Sequence, residues 1–506
     1  MKIPSARSAF TCLSRQPLRA LAAPLLLVTA LTTAAAAGST PIDLGTRLEL
    51  FVDDFLIDRM DGVRLQQQTP RSEGTVLTFD RPWEGNTSGY TSLFKDGDRY
   101  RMYYRGSADP TYTIKATVRP DERILPVHDQ FTCYAESTDG VHWVRPNLGL
   151  FEFNGSKENN IVWVERGSHN FAPFKDENPA APADQRYKAV ASSNYDFDKG
   201  KRILIAFVSA DGIHWRKLRP EPIITDGFFD SLNLAFWDVL RKEYVAIYRD
   251  FIHGVRSIKC ARSKDFLTWT PGEWADFGDA PPANLYTNAT TPYFRAPHLY
   301  LALPRRFMPW KTYFPEMVSL SPGTSDVVFM SSRDGVHWRR FEEAFLRPGL
   351  HERNWAHRAN TPAAGLIATG PEEISFYVER DYTFPSNRLE RLTVRTDGFV
   401  SAHAGYPGGE LVTKPFTFTG SSLVLNYSTS ASGSIRVEIQ DAGGHPLPGF
   451  TLEESPLVFG DKIAEAIDWK HARGQTDRSP LSRLAGKPIR LRFVLRDADL
   501  FSLQFK

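Results

Sequence analysis

A seven-residue phrase recurs along this chain and constrains its fold more than any other feature. It reads Ser-x-Asp-Gly-x-His-Trp, and near-identical copies lie at residues 137–143, 209–215 and 332–338. Weaker copies lie at 263–269 and 395–399, so that successive Asp residues are 72, 54, 69 and 63 positions apart. A repeat of this length fits a four-stranded antiparallel sheet with its loops. The chain therefore predicts five such sheets in succession, the arrangement of a β-propeller.

The chemistry of the phrase is that of a tight turn. An Asp carboxylate can accept hydrogen bonds from the amides that follow it, Gly can take a positive φ, and Trp returns to the sheet as an apolar anchor. The phrase resembles the Asp box of sialidases and related propellers, although it is shorter between Asp and Trp. We expect each copy to form the hairpin between the outer strands of one sheet, with no catalytic role.

A strand–turn–strand pattern precedes each copy of the phrase. Residues 91–104 show it, and comparable pairs occur at 169–192, 230–249, 288–304 and 363–379. Alternation of apolar and polar residues over such short runs is typical of half-buried strands. The fold class predicted is all-β.

The domain organisation follows from where the phrase stops. Residues 38–405 contain all five copies and are predicted to form a five-bladed β-propeller. Residues 411–506 contain none, and their alternating strands lie between Gly-rich turns. This pattern suits a C-terminal β-sandwich that packs beside the ring without lining its channel.

Residues 1–37 have the pattern of an export signal: a basic start, a short apolar stretch and small residues before a cleavage point. An N-terminal membrane anchor is the alternative, but the apolar stretch is shorter than the roughly 20 residues that span a bilayer. No later segment could span one. We expect a secreted or periplasmic protein.

Charge and cysteine content exclude several classes of partner. The segment 1–37 carries four of the 61 basic residues and none of the 59 acidic ones, which leaves a net charge near −2. Such a balance does not predict nucleic-acid binding. Beyond that segment the cysteines are Cys133 and Cys260, expected to be buried free thiols since no metal-binding spacing occurs. No P-loop, dinucleotide fingerprint or nucleophile elbow is present, and no cofactor or metal is implied.

At this point the chain resembles the five-bladed propeller glycoside hydrolases that include invertases, levansucrases and arabinanases, especially their uncharacterised bacterial branch. The residues that carry the resemblance are Leu50-Phe-Val-Asp-Asp-Phe-Leu-Ile-Asp58 and Arg395-Thr-Asp-Gly-Phe-Val400, together with the repeat architecture. The resemblance covers nearly the whole mature chain. It implies a carbohydrate substrate and three carboxylates at the mouth of the central channel.

The resemblance implies that the carboxylates lie where inner strands begin. Asp230, after two Phe residues, is the leading candidate, and Glu84 could supply a second carboxylate from a loop. The family's usual Asp in the first blade aligns near Tyr90, and this departure puts the standard mechanism in doubt. Glu352 and Glu373 complete the predicted catalytic set, although Glu373 could equally cap a turn. Asp54, in the N-terminal strand, is a further candidate for a catalytic carboxylate.

Predicted substrate contacts surround these carboxylates. Aromatic faces match the C–H faces of sugar rings, and charged or amide groups bind hydroxyls. The residues predicted to bind substrate are Trp83, Tyr90, Arg105, Arg249, Asn288, Trp355, His357 and Arg358.

Three functions remain open from the sequence. The first is a secreted glycoside hydrolase acting on a plant or algal polysaccharide or its oligosaccharides. The second is a carbohydrate-binding propeller without catalysis. The third is a polysaccharide lyase with Tyr or His as base beside an Arg, suggested by Tyr90, His357 and Arg358.

Overall fold

The regular secondary structure of the described residues is almost entirely β-strand, as predicted. A computed structural model describes residues 40–192, 203–469 and 480–506, so the predicted signal 1–37 lies outside the described residues. Helical structure in the described part is confined to α1 (Met317–Leu320) and to short 3₁₀ turns at Pro110–Tyr112, Lys115–Thr117, Ala183–Gln185, Glu352–Trp355 and Pro480–Leu484.

The strands fall into groups along the chain. Five N-terminal strands are β1 (Ile42–Gly45), β2 (Glu49–Leu50), β3 (Ile57–Asp61), β4 (Val63–Gln67) and β5 (Arg71–Thr78). Sheet 1 contains β6 (Gly89–Asp96), β7 (Arg99–Gly106), β8 (Phe131–Ser137) and β9 (Ile161–Trp163). Sheet 2 contains β10 (Ala172–Lys175), β11 (Tyr187–Ser192), β12 (Leu204–Ser209) and β13 (Arg216–Lys217). Sheet 3 contains β14 (Leu234–Asp238), β15 (Glu243–Ile252), β16 (Val255–Ser263) and β17 (Glu273–Trp274).

The next strands form two separate small sheets, which are together called sheet 4 because Leu285 of one and Tyr300 of the other lie in the same apolar core. Its elements are β18 (Leu285–Thr287), β19 (Thr291–Tyr293), β20 (Ala296–Ala302), β21 (Arg305–Met308), β22 (Thr324–Val327), β23 (Met330–Ser332) and β24 (Trp338–Arg340). The ladders run β18-β21-β22 and β19-β20-β23-β24. Sheet 5 contains β25 (Thr361–Pro362), β26 (Ile367–Ala368), β27 (Glu373–Arg380) and β28 (Arg388–Arg395). Its outermost strand is β5, which pairs with β28 from more than 300 residues away.

Alternation along each strand divides its side chains between two cores. In β7, Tyr100, Met102 and Tyr104 lie in a core shared with sheet 5, whereas Tyr103 lies in the core shared with sheet 2. Successive side chains of a strand point to opposite faces, so a buried strand needs apolar residues on both. The aromatic content of the repeats serves this packing.

Five apolar cores join the sheets in cyclic order. They lie between sheets 1 and 2, 2 and 3, 3 and 4, 4 and 5, and 5 and 1. Strand β6 of sheet 1 also exchanges backbone hydrogen bonds with Ala364, which follows β25 of sheet 5: Leu93 N donates to Ala364 O at 2.8 Å, and Ala364 N donates to Thr91 O at 2.9 Å.

The C-terminal strands are β29 (Val400–Ala404), β30 (Gly409–Thr413), β31 (Phe416–Phe418), β32 (Leu423–Asp441), β33 (Asp461–Ile467) and β34 (Ile489–Phe505). They form a ten-stranded sheet with β1 to β4, around one large apolar core. Strands at 42–67 and 400–404 thus pair in this sheet, although the sequence placed them with the repeats. The partner of β4 is β29, more than 330 residues away, and no local sequence pattern predicts such long-range pairing.

The recurrent phrase forms the predicted turn. In the copies at 209–215 and 332–338 it joins the third and fourth strands of a sheet. Asp211 Oδ1 accepts from the amides of Ile213 and His214, each at 2.8 Å, and Trp215 donates to the carbonyl of Gly212, whose φ is +80°.

The fifth copy differs. Asp397 itself takes the left-handed conformation, with φ +61°, and its buried carboxylate accepts from Tyr293 and Arg295 of sheet 4. This copy links sheets 4 and 5 because its carboxylate is directed away from its own turn.

Both described cysteines, Cys133 and Cys260, are buried free thiols, as expected.

Candidate functional site

A cluster of ionisable and aromatic side chains lies where each sheet's first hairpin opens. The start of a first strand and the end of its antiparallel partner are adjacent, as the pairs Gly89–Arg105, Thr287–Arg305 and Thr361–Glu379 show. These openings bring several side chains from different sheets into one cluster. The central cluster contains Tyr90 and Arg105 (sheet 1), His169 (sheet 2), Asp230 and Arg249 (sheet 3), Tyr286 and Arg305 (sheet 4), and Arg358 and Glu379 (sheet 5).

Asp230 is the exposed carboxylate of the cluster, with 41% of its side chain accessible. Amide side chains fix the backbone around it: Asn170 and Asn233 each donate to the carbonyls of Phe229 and Ser231. The Asp230 side chain is therefore placed before any ligand arrives.

His169 orients the Asp230 carboxylate. Its Nε2 lies 3.1 Å from Asp230 Oδ1, and its Nδ1 lies 3.2 Å from Arg105 Nη1. Nδ1 also lies 2.8 Å from Gln130 Oε1. Because an ionised carboxylate only accepts, Nε2 carries the proton that is donated to Asp230. Burial lowers the pKa of His169. Burial would raise the pKa of Asp230, but His169, Arg249 and Arg358 hold it well below its usual range, so this carboxylate is ionised.

Glu379 is the second carboxylate and is almost fully buried. It lies against Gly89, where a Cβ atom would come within 2.5 Å of Glu379 Oε2, and it accepts from the amide of Thr91 at 3.4 Å. Burial raises the pKa of Glu379 to about 7, although Arg105 and Arg305 act in the opposite direction. Two carboxylates of one cluster thus differ in protonation near neutral pH.

Tyr90 lies in β6, directly after Gly89. Its ring packs under the Arg105 guanidinium at 4.7 Å and edge-on to the His169 ring at 5.4 Å. Tyr90 has φ +51° and Arg358 has φ +60°, a region that non-glycine residues seldom enter. Such strain concentrates at functional sites, where the surrounding structure enforces it.

Tyr286 lies at the centre of an arginine group. Guanidinium carbons of Arg305, Arg249, Arg256 and Arg358 lie 3.9, 5.0, 5.0 and 5.8 Å from its ring centroid. Burial alone would raise the pKa of Tyr286, but Arg358, Arg249 and Arg305 lower it below its usual value.

A cleft of about 550 Å³ reaches the cluster from the side of sheets 1 and 2. Asp109, Gln130, Ser168 and His169 are among the residues that line it. His169 therefore connects this cleft to Asp230, since its ring lines the cleft and bonds to that carboxylate.

The structure brings together Asp230, Tyr90, Arg105, Arg249 and Arg358 of the residues proposed from sequence. These residues share one feature: each is an ionisable or aromatic residue at or beside the opening of a first hairpin.

Glu84 and Trp83 have other partners. Glu84 is fully buried and accepts from Tyr104 at 2.5 Å and from Arg145 at 2.7 Å. Trp83 donates to Asn160 Oδ1 at 2.7 Å, and Asn160 donates in turn to Tyr104. This network occupies the groups expected to meet a sugar, so the geometry gives Glu84 and Trp83 a structural role.

Glu352, Glu373 and Asn288 have other surroundings or partners. Glu352 is exposed at the start of a 3₁₀ turn. Glu373 begins β27 and pairs with Arg391, whereas Glu379 lies near the opposite end of that strand. Asn288 Oδ1 accepts from the amide of Thr290 at 3.0 Å and so stabilises a turn.

Trp355 and His357 flank the cluster at sheet 5. Trp355 stacks on the half-exposed ring of Tyr313 at 5.7 Å, which forms an aromatic surface. His357 is buried edge-on to Phe307 at 5.3 Å, and burial lowers its pKa well below the usual range.

Sequence reasoning missed His169, Tyr286, Arg305 and Glu379. Each lies at or next to a first-hairpin opening, so aligning the five hairpins by their strand starts would have found them. Examining each residue by itself could not find Glu379, because it lies within β27 among apolar residues and has no local feature that marks it as part of a site.

Within residues 40–192, 203–469 and 480–506, no group of three or more His, Cys, Asp or Glu side chains could hold a metal ion. None of the helices in these same ranges has the length and apolarity needed to cross a membrane.

No family model and no curated protein matches the sequence. In structure, the chain is similar to solved proteins that include glycoside hydrolases. One neighbour is described only as a glycoside hydrolase: it is 14% identical, with TM-score 0.43, and the match covers 65% of this chain and 92% of that one.

Two further neighbours have named activities. The fructofuranosidase of Schwanniomyces occidentalis is 11% identical, with TM-score 0.38 and coverage of 85% of this chain and 96% of the neighbour. The alpha-L-arabinanase of Penicillium chrysogenum is 8% identical, with TM-score 0.37 and coverage of 65% and 99%.

Proposed function

We propose that sheets 1 to 5 are the blades of a five-bladed β-propeller, with β5 completing the last blade and the ten-stranded terminal sheet forming a β-sandwich. Five cores in cyclic order support the ring, as do the backbone hydrogen bonds between Leu93 and Ala364. In this division the propeller takes residues 71–395 and the sandwich takes residues 42–67 and 400–506.

We propose that this protein is a secreted or periplasmic glycoside hydrolase that acts on a plant or algal polysaccharide or its oligosaccharides. The observation that carries the proposal is the pair of unlike carboxylates in one cluster, Asp230 ionised and Glu379 with a pKa of about 7. Glycoside hydrolysis needs one carboxylic acid that donates a proton and one carboxylate that attacks or activates water.

The roles follow from exposure and charge. Asp230 is the more accessible of the two carboxylates and acts on the anomeric carbon, directly or through a water molecule. Glu379 donates a proton to the leaving oxygen, since its buried position keeps part of the population protonated near neutral pH. Arg105 and His169 orient the two groups.

The aromatic surface of Trp355 and Tyr313 fits a sugar ring of the same substrate. Apolar C–H faces of pyranoses and furanoses pack on aromatic rings, and Trp310, with 71% of its surface exposed, extends the set of exposed aromatic rings.

A lyase is the second candidate. Tyr286 has a lowered pKa and lies among arginines, the arrangement that β-elimination from a uronic acid needs when a Tyr removes the proton and an Arg neutralises the carboxylate. The same cluster could therefore carry either reaction, according to the substrate.

The test is a panel of polysaccharides incubated with the mature protein. Released reducing sugar without absorbance of unsaturated products supports the hydrolase, and unsaturated products support the lyase. Binding on affinity gels without either product would refute both and leave a carbohydrate-binding protein.

A further inference from the structure

The arginine group around Tyr286 has more positive charge than the chain itself balances. Arg105, Arg249, Arg256, Arg305 and Arg358 lie in or beside the cluster. The carboxylates that face them are Asp230 and Glu379, and Glu379 is partly protonated near neutral pH. None of the five guanidiniums lies within salt-bridge distance of a carboxylate among the residues that the structure describes.

Several guanidinium nitrogens in this group are buried without a hydrogen-bond partner. They are Arg249 Nη1, Arg256 Nε, Arg305 Nε and Nη2, and Arg358 Nε. Arg249 and Arg305 are only 2% and 1% exposed. Buried donors of a charged group are almost always satisfied, and an unpaired buried charge is strongly unfavourable, so a missing acceptor is indicated.

Two of these side chains are held by other hydrogen bonds. Arg305 donates Nη1 to the carbonyl of Arg358 and to Thr361, and Arg249 donates Nε to the carbonyl of Phe228. The unpaired nitrogens of Arg305 and Arg249 are thus held in place by neighbouring bonds. Burial lowers the pKa of Arg256, and Arg249, Arg305 and Arg358 lower it further, as expected when like charges face one another.

We propose that Arg249, Arg256, Arg305 and Arg358 form a binding site for an oxyanion: a sulfate, phosphate or carboxylate group. Planar guanidiniums match the oxygens of such groups and bind them by paired, charge-assisted hydrogen bonds. The substrate class of the proposed enzyme is then an anionic saccharide, or a neutral saccharide together with a free oxyanion. The saccharide rests on the proposed function, whereas the oxyanion rests on the arginines alone.

Calorimetric titration with sodium sulfate and sodium phosphate, against sodium chloride at equal ionic strength, tests the site without any turnover. The wild type should bind one sulfate or phosphate per chain. Arg256→Met removes a half-buried member and should weaken binding at least about tenfold. Arg249→Lys keeps the charge but loses the planar fork, and should weaken binding several-fold.

Arg306→Met is the matched control. Arg306 lies beside Arg305 on β21, but it pairs with Asp326 outside the cluster, so its loss should leave anion affinity unchanged. Circular dichroism of each variant verifies that the fold is intact. Absence of saturable binding by folded wild type, or equal affinity in Arg256→Met and wild type, would overturn the proposal.

Competition separates the two sources of the oxyanion. Displacement of sulfate by uronic or sulfated oligosaccharides, but not by neutral ones, supports an anion carried by the saccharide. Tighter binding of neutral oligosaccharides in the presence of sulfate supports a free oxyanion. If the protein binds anions but cleaves no saccharide, the proposed hydrolase activity is wrong and the oxyanion site stands. If it cleaves a saccharide but binds no anion, the oxyanion site is wrong and the hydrolase activity stands.

Discussion

Replacing Glu379 with Gln should change how stability depends on pH. Its pKa is raised from an ordinary value of 4.5 to about 7 because the side chain is buried. A carboxyl group with a raised folded-state pKa stabilises the protein below its unfolded pKa, and this stabilisation is lost as pH rises through the folded pKa. Between about pH 5 and about pH 8, the wild type should lose about 2.5 kcal/mol relative to Glu379→Gln.

Urea unfolding followed by tryptophan fluorescence at both pH values gives the two free energies of unfolding. Asp96→Asn is the control, since Asp96 is also buried but Tyr187, Lys175 and Arg101 hold its pKa below its usual range against the effect of burial. Its stabilisation is present above the unfolded pKa and is lost only as pH falls through the folded value. The Asp96→Asn profile should therefore run parallel to that of the wild type in this range. A Glu379→Gln profile that is also parallel would refute the reasoning.

The remaining predictions concern residues outside the cluster. Asp211→Ala removes the acceptor for two turn amides and should lower the free energy of unfolding by about 1–2 kcal/mol, with Asp211→Asn milder, as measured by urea unfolding. Glu84→Ala leaves Arg145 without its buried partner and should cost about 3 kcal/mol while turnover per folded molecule is kept; lost turnover in a folded variant would contradict the structural role. Glu352→Gln should leave stability within about 0.5 kcal/mol and turnover unchanged in the same assays, because its side chain is exposed.

Local chemistry explains what the sequence could predict. The Asp-Gly turn before Trp215 needs only neighbouring residues, so the repeat, the turn geometry and the mostly-β fold follow from spacing and alternation. Pairing of β4 with β29, and of β5 with β28, depends on chain closure over more than 300 residues, which no local pattern encodes.

The site was predictable only where a side chain violates its local pattern. Asp230 is identifiable because it is a charged residue after two Phe residues at a predicted strand start. Tyr90 is identifiable because the resemblance implies a carboxylate near that position. Glu84 stood out equally but is satisfied by Tyr104 and Arg145, a fact that only three-dimensional contacts supply. Glu379 was hidden because a buried carboxylate on a second strand looks like one more residue of the alternation.

Turnover of Asp230→Asn on a saccharide that the wild type cleaves tests the central claim most directly. The Asn side chain keeps an oxygen that can accept from His169, so the fold and substrate affinity should be preserved. Loss of the ionised carboxylate should lower turnover at least about a hundredfold, the usual contribution of such a group. Near-normal turnover in the folded Asp230→Asn variant would contradict the assignment of the glycosidase site to this cluster.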